Sequence, residues 1–212
     1  MRVDRFITRL SARIARLGRR DDGATLVEFA LAVPLFLLIF FGLIDFGRLA
    51  FHWVTAERAL YTAARVAAVR PPICAGVPTQ HQQGASAARF GTMCSAGAGT
   101  CVNPGNFTCA AGADPTSVEI WGLVRGSLPL NATSANLQFT YSFDQNLGFV
   151  GGPYVPMITV QLTNLNFQFF TPLSGLVSLV GGTPPAGLGA QIPMTNLSVS
   201  LPGEDLDLGT LG

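Results

Sequence analysis

A long uncharged stretch near the N-terminus constrains this chain more than any other feature. The sixteen residues from Phe29 to Ile44 carry no charge, and extending the run back to Ala24 gives twenty-one residues with the single charge of Glu28. A helix that crosses a bilayer needs roughly 20 mostly apolar residues. The sequence therefore predicts one membrane-spanning helix over about 24–45.

The exception inside this run is Glu28. A carboxylate deep in lipid costs roughly 3 kcal/mol on insertion scales and indicates a function in the membrane. A glutamate at the start of a helix is instead favoured by the positive end of the helix dipole. From the residue alone, an interfacial Glu that begins the helix and a functional intramembrane acid are both open.

Charge is distributed unevenly along the 212 residues, although the net charge is only +1. Residues 1–22 hold seven Arg and three Asp, whereas residues 71–212 hold two Arg and six acids. Positive residues beside a span stay on the cytoplasmic side. We expect a single-pass protein of a bacterial inner membrane, with its N-terminus cytoplasmic and its C-terminal part periplasmic or extracellular. Because this placement already accounts for the basic segment, we do not expect the protein to bind nucleic acid.

The order of residues around the span resembles a known family. A short basic leader ends at Gly23, Glu28 is the fifth residue after that glycine, and Phe29 begins the apolar helix. The segment resembles the leader of a type IV prepilin and, over residues 23–64, the TadE-like pseudopilins of the tight-adherence (Tad, Flp) pilus. The motifs that carry the resemblance are Val27-Glu28-Phe29-Ala30-Leu31, Pro34-Leu35, Phe41-Gly42-Leu43-Ile44-Asp45-Phe46-Gly47-Arg48 and Ala63-Ala64-Arg65.

The resemblance implies a specific processing site. In such proteins a membrane-embedded prepilin peptidase cuts after the glycine, which here places the cut between Gly23 and Ala24. It also implies that the new ammonium of one subunit pairs with Glu28 of a neighbour, with Phe29 beside it, during filament assembly. The implied partners are the inner membrane, the peptidase, other pilin and pseudopilin subunits and the assembly platform, with no cofactor.

The helix is expected to continue well beyond the membrane. Apolar residues recur at three- and four-residue steps from Leu49 to Ala67, which predicts one apolar stripe on an exterior half of the helix. Arg70-Pro71-Pro72 predicts its end, because proline disfavours helix in the residue before it. Pro34 predicts a kink in the membrane half.

Four cysteines fall in the predicted exterior part. An even number in an exported segment favours disulfides, and four cysteines allow three pairings among which the sequence does not choose. Zinc is the alternative, but there is no Cys-x-x-Cys spacing and His81 is the one histidine nearby. We expect disulfides and no metal site. The candidates are Cys74, Cys94, Cys101 and Cys109.

The remainder of the chain is typical of β-structure. Residues 71–117 form a predicted exposed Cys-containing loop region, and residues 118–212 a β-rich exterior domain. Alternating apolar residues predict strands near 137–143, 158–162 and 197–201, and a further strand at 118–124. The alternation slips at Thr163-Asn164, which predicts a bulge or a turn. We expect an α+β, pilin-like fold in which residues 1–23 are a basic leader and the helix of residues 24–70 packs on a small antiparallel sheet.

The sequence contains no nucleophile–base pair, phosphate-binding loop or metal constellation, so we expect a non-enzyme. The leading interpretation is a minor pilin or pseudopilin of a Tad-type pilus or secretion machine that acts in pilus assembly, surface adherence or biofilm formation. An uncleaved single-pass anchor that presents a periplasmic binding domain is the alternative. A secreted adhesin or enzyme released by another protease is a third possibility.

Overall fold

A computed structural model describes residues 22–179, 181–185, 191–194, 197–204 and 206. Most of the predicted leader, residues 1–21, lies outside this part. The described residues divide into two compact units. The first contains the residues up to Gly47 together with those from Gln168 to Gln191, and the second contains Arg48–Phe167 and the residues from Ile192 onward.

The long helix spans Asp22–Val69, which confirms the predicted helix and its end before Arg70-Pro71-Pro72. It is apolar enough to cross a membrane, and none of its most apolar stretch is buried within the protein. Pro34 lies inside the helix. A kink at this proline remains a prediction.

In the second unit, the C-terminal half of the helix packs against an antiparallel sheet, so the predicted α+β architecture is confirmed. Alanine favours helix, and its short side chain lets the helix backbone lie close to the sheet. Just after the last strand of this sheet, the backbone N–H of Glu204 donates to the carbonyl of Ala68 over 2.9 Å. The buried stripe of the helix consists of Ala56, Ala59, Leu60, Ala63, Ala64, Ala67 and Ala68.

The sheet has four antiparallel strands in the order β1-β2-β3-β6. The strands are β1 Phe107–Ala110, β2 Leu137–Ser142, β3 Met157–Leu162 and β6 Ser198–Pro202. On the buried face Phe139 opposes Val160, and Val160 opposes Val199. The alternations at 137–143, 158–162 and 197–201 thus did predict strands. The sheet buries Leu137, Phe139, Tyr141, Ile158, Val160 and Leu162 on this face.

The predicted slip after β3 is a turn. Asn164 adopts a positive φ of 54°, and the side-chain amide of Asn136 donates to the carbonyls of Thr163 and Asn164. The chain then forms a second, two-stranded sheet from β4, Asn166–Phe167, and β5, Ile192–Pro193. The turn lets Leu165 and Phe167 be buried although they are out of phase with β3.

The strand predicted at 118–124 is wrong, because these residues belong to a second helix, Pro115–Val124. Asp114 caps this helix by accepting the N–H of Ser117 over 2.8 Å, with proline at the first position. The spacing of apolar residues in such a short run fits a helix and a strand equally well. Here the cap at Asp114 favours the helix. The predicted loop region 71–117 also contains a strand, β1.

The cysteines form two disulfides, Cys74–Cys109 and Cys94–Cys101. The first joins the segment that follows the long helix to β1. In the same region the N–H of Ile73 donates to the hydroxyl of Tyr141 over 3.1 Å. The end of the long helix is thereby attached to the sheet by one covalent bond and one hydrogen bond.

His81 is buried beside the second disulfide. Its Nε2 accepts the backbone N–H of Val155 over 3.1 Å, and its ring centroid lies 5.0 Å from that of Tyr154. Gly148 has a φ of +75°, and a Cβ there would overlap the His81 ring. Burial lowers the pKa of His81 and raises that of Tyr154 to about 12. The imidazole is therefore neutral at pH 7.

The two disulfides differ in the stability that they are expected to provide. The sequence separation is 35 residues for Cys74–Cys109 and 7 residues for Cys94–Cys101. For loops of these lengths the chain-entropy relation gives a stabilisation of roughly 4 and 2 kcal/mol. We expect the Cys74→Ser/Cys109→Ser protein to lose more free energy of unfolding than the Cys94→Ser/Cys101→Ser protein. Guanidinium unfolding of the full chain in detergent measures both. Equal losses would contradict a stabilisation set by loop length.

The buried His81 makes stability depend on pH. Because its folded-state pKa lies below the unfolded value of about 6.5, the unfolded state binds more protons as the pH falls through this range. Stability is therefore full above about pH 6.5 and declines in acid. In His81→Gln, whose side-chain carbonyl can still accept from Val155, we expect a flatter profile of unfolding free energy between about pH 5 and 8. His52 is present in both proteins, so parallel profiles would exclude His81 as the source.

Candidate functional site

The predicted cleavage site lies at the very start of the long helix. The helix begins at Asp22, so the bond between Gly23 and Ala24 falls within its first turn. The first four backbone N–H groups of a helix have no acceptor inside the helix, and glycine is a weak helix former. This turn therefore unwinds at lower cost than the interior of the helix, as an extended protease substrate requires.

One turn further on, the helix presents an exposed apolar surface interrupted by one acid. Glu28 is exposed, as are its neighbours Val27 and Phe29, and Leu26 before them. The rise of 1.5 Å per residue places Ala24 and Glu28 about 6 Å apart along the helix axis. Glu28 therefore lies among apolar side chains that lipid or another helix must cover.

The apolar surface continues along the membrane half of the helix. Phe36 and Phe40 stack one turn apart, with ring centroids 5.8 Å from each other. Large apolar side chains point outward over most of the circumference, as on a helix surface that lies in lipid, whereas the face that carries Leu37, Leu38 and Phe41 is half-buried. The exposed ones between Leu31 and Phe46 are Leu31, Leu35, Phe36, Ile39, Phe40, Leu43, Ile44 and Phe46.

Asp45 has a structural partner that the sequence did not reveal. The sequence identified it only as part of a motif at the outer end of the apolar run, but in the first unit it is fully buried. Its carboxylate accepts the backbone N–H groups of Phe170 and Thr171, the latter over 3.1 Å, and the Thr171 hydroxyl. A contact across 126 positions leaves no local pattern by which it could have been found.

His81, Cys94 and Cys101 lie close enough together to resemble a metal site. Their ligand atoms lie within 4.8 Å of one another, and all three residues are buried. The two sulfurs, however, are bonded to each other, and a metal is held by thiolates. The disulfide therefore occupies the ligand positions, and this cluster does not suit a metal while the sulfurs are oxidised.

Two open grooves lie along the C-terminal half of the long helix beside β6. One, of about 550 Å³, has the polar residues Glu57, Arg58, Thr62 and Ser198 in its lining. The other, of about 610 Å³, is lined by Tyr61, Arg65 and Glu204 among others. Neither lining includes a histidine, so among the described residues of these grooves no imidazole is available to activate a nucleophile.

Comparison with known proteins gives one match. Residues 23–65 match the model of the family described as TadE-like protein. Comparison with curated proteins and with solved structures found no significant match to either. TadE-like proteins are structural components of a pilus and are not known as enzymes. The matched segment begins at Gly23 and includes Glu28, Phe29 and Pro34. The chain is therefore similar to TadE-like proteins over residues 23–65.

Proposed function

We propose that this protein is a minor pilin or pseudopilin of a Tad-type pilus or secretion machine. It enters the bacterial inner membrane with its N-terminus in the cytoplasm and is cleaved by a prepilin peptidase between Gly23 and Ala24. The mature chain then joins other pilin subunits at the assembly platform and serves pilus assembly, adherence or biofilm formation. The observation that carries the proposal is the TadE-like match over a helix whose membrane half is exposed and apolar.

The proposed cut creates a positive charge close to Glu28. Cleavage produces an ammonium at Ala24, about 6 Å along the helix from Glu28. Within one subunit Glu28 lies on a surface of exposed apolar residues. When subunits pack side by side, that surface loses its contact with lipid, and a charge buried in this way needs an opposite charge. The ammonium of one subunit can meet Glu28 of the next, which sets their axial register.

The second unit supports a role outside the membrane. Its sheet is held to the long helix by the alanine stripe, and the segment after the helix is held by the Cys74–Cys109 disulfide. Arg70, the residue after the helix, forms an exposed ion pair with Glu119 over 3.0 Å. Disulfides persist in oxidising compartments such as the periplasm, in agreement with a periplasmic or extracellular location for this unit.

The proposed processing can be tested at Gly23. A side chain at the cut site obstructs the extended backbone in the protease, so Gly23→Leu is expected to leave the full-length chain unprocessed. Intact-mass spectrometry of protein from membranes of a producing cell measures the N-terminal residue. The wild-type chain is expected to begin at Ala24.

A matched control is Gly42→Ala, on the same helix. A Cβ at Gly42 meets nothing within 4 Å, so this variant should be processed like the wild type. Normal processing of Gly23→Leu would count against the proposed cut. A wild-type chain that begins at Met1 would instead favour the uncleaved anchor with a periplasmic binding domain.

The proposed role of Glu28 is separate from processing. Removing one partner of a buried ion pair costs about 3 kcal/mol, which corresponds to roughly a hundredfold in an association constant. We expect Glu28→Gln to be cleaved normally but to be depleted to that degree from sheared pili, as measured by immunoblotting of the pilus and membrane fractions. Glu57→Gln, at an exposed position of the same helix, is the control. Equal incorporation of both variants would show that Glu28 has no part in assembly.

A further inference from the structure

Residues 170–179 form an exposed apolar segment of the first unit outside the long helix. It includes a third helix, Leu173–Leu179, in which Leu173 is buried. Phe170 remains 84% exposed and Leu179 71% exposed. Exposing large apolar side chains to this degree in water costs free energy, so we expect another apolar surface to cover them.

The surrounding sequence is devoid of charge. Between Asp144 and Glu204 there are 59 consecutive residues with no Asp, Glu, Lys, Arg or His. Such a segment presents no charged side chain that would resist contact with the apolar region of a bilayer. It also presents no cation that would select anionic lipid headgroups.

Asp45 fixes where this segment lies along the long helix. The carboxylate accepts the N–H groups of Phe170 and Thr171 over 3.4 and 3.1 Å, and the Phe46 and Phe169 rings make an edge contact with centroids 5.7 Å apart. Residues 169–171 therefore lie level with the helix turn that contains Asp45. Asp45 directly follows Ile44, the last residue of the uncharged run.

The contact with Asp45 determines where the segment lies relative to the bilayer. If residues 29–44 occupy the hydrocarbon, Asp45 and the segment bound to it lie at the boundary between hydrocarbon and headgroups. Leu43, Ile44 and Phe46 of the same unit are also exposed and must be covered at this level. Phe and Leu are among the side chains that interfacial helices bury at this boundary.

We propose that residues 170–179 form a membrane-interface segment, in which Phe170 and Leu179 insert into the leaflet on the exterior side and Asp45 holds the segment at that depth. The proposal rests on the proposed membrane anchoring of the chain, but not on its cleavage or its assembly into a pilus. Lipid is favoured over a second subunit as the contact because the segment continues the apolar surface of the span at the level of the bilayer boundary.

The test uses single-cysteine labelling of the full-length oxidised protein. The four native cysteines are all in disulfides, so Phe170→Cys introduces one reactive thiol. We would label it with an environment-sensitive fluorophore and reconstitute the protein at low density in phosphatidylcholine vesicles containing doxyl lipids. Phe90→Cys, at a 77% exposed phenylalanine of the second unit, is the matched control. Leu35→Cys, at an exposed position of the proposed span, reports on the anchoring.

The label at position 170 is expected to emit at shorter wavelength than the label at position 90 and to lose most of its intensity to doxyl groups near the headgroups. Adding anionic lipid or salt should not change this quenching. If position 35 is quenched and position 170 is not, the interface segment is refuted while the anchoring stands. If neither is quenched, the anchoring itself fails, and the proposal fails with it. A blue shift at position 170 that disappears on dilution, without lipid quenching, would identify a subunit contact and overturn the proposal.

The role of Asp45 is tested in the same assay. Asp45→Ala leaves the N–H groups of Phe170 and Thr171 without this acceptor, so quenching at position 170 should fall while quenching at position 35 is retained. Unchanged quenching at both positions would overturn Asp45 as the group that holds the segment at the interface.

Discussion

The structure depends on a single helix whose two halves require different environments. From Thr25 to Ile44 most of its large apolar side chains are exposed, and none of the most apolar stretch is fully buried by the protein. From Ala56 to Ala68 it buries one stripe of small side chains against the sheet. The first pattern requires lipid or other helices, and the second requires the chain's own sheet. One element can meet both requirements only because its surface changes character along its length.

Charge placement follows from the same constraint. The uncharged run is flanked by two acids, Glu28 and Asp45, which differ in their exposure. Glu28 stays exposed, where a partner from another molecule can reach it, whereas Asp45 is buried and accepts hydrogen bonds from residues 170 and 171. The two carboxylates thus have distinct roles in the proposed function: Glu28 joins subunits, and Asp45 holds a segment of its own chain at the interface.

The second unit is stabilised by two disulfides and by a buried histidine. One disulfide attaches β1 to the chain just beyond the long helix, and the other closes a short loop over the buried His81. Neutral His81 accepts one backbone N–H and fills the space next to Gly148. The grooves beside β6 have mixed linings, with Glu57 and Arg58 in one and Arg65 and Glu204 in the other.

The sequence by itself determined the elements whose signals are local and periodic. The long helix, its end before two prolines and the alternating strands 137–142 and 157–162 all follow from spacing, and the TadE-like segment follows from motifs within about forty residues. A short apolar run at 118–124 was ambiguous, and its helical form was decided by the Asp114 cap. The tertiary structure alone decided the cysteine pairing, the burial of His81 and the contact between Asp45 and Thr171. These features depend on which distant segments come into contact when the apolar faces are buried. Such long-range contacts leave no periodic pattern in a single sequence.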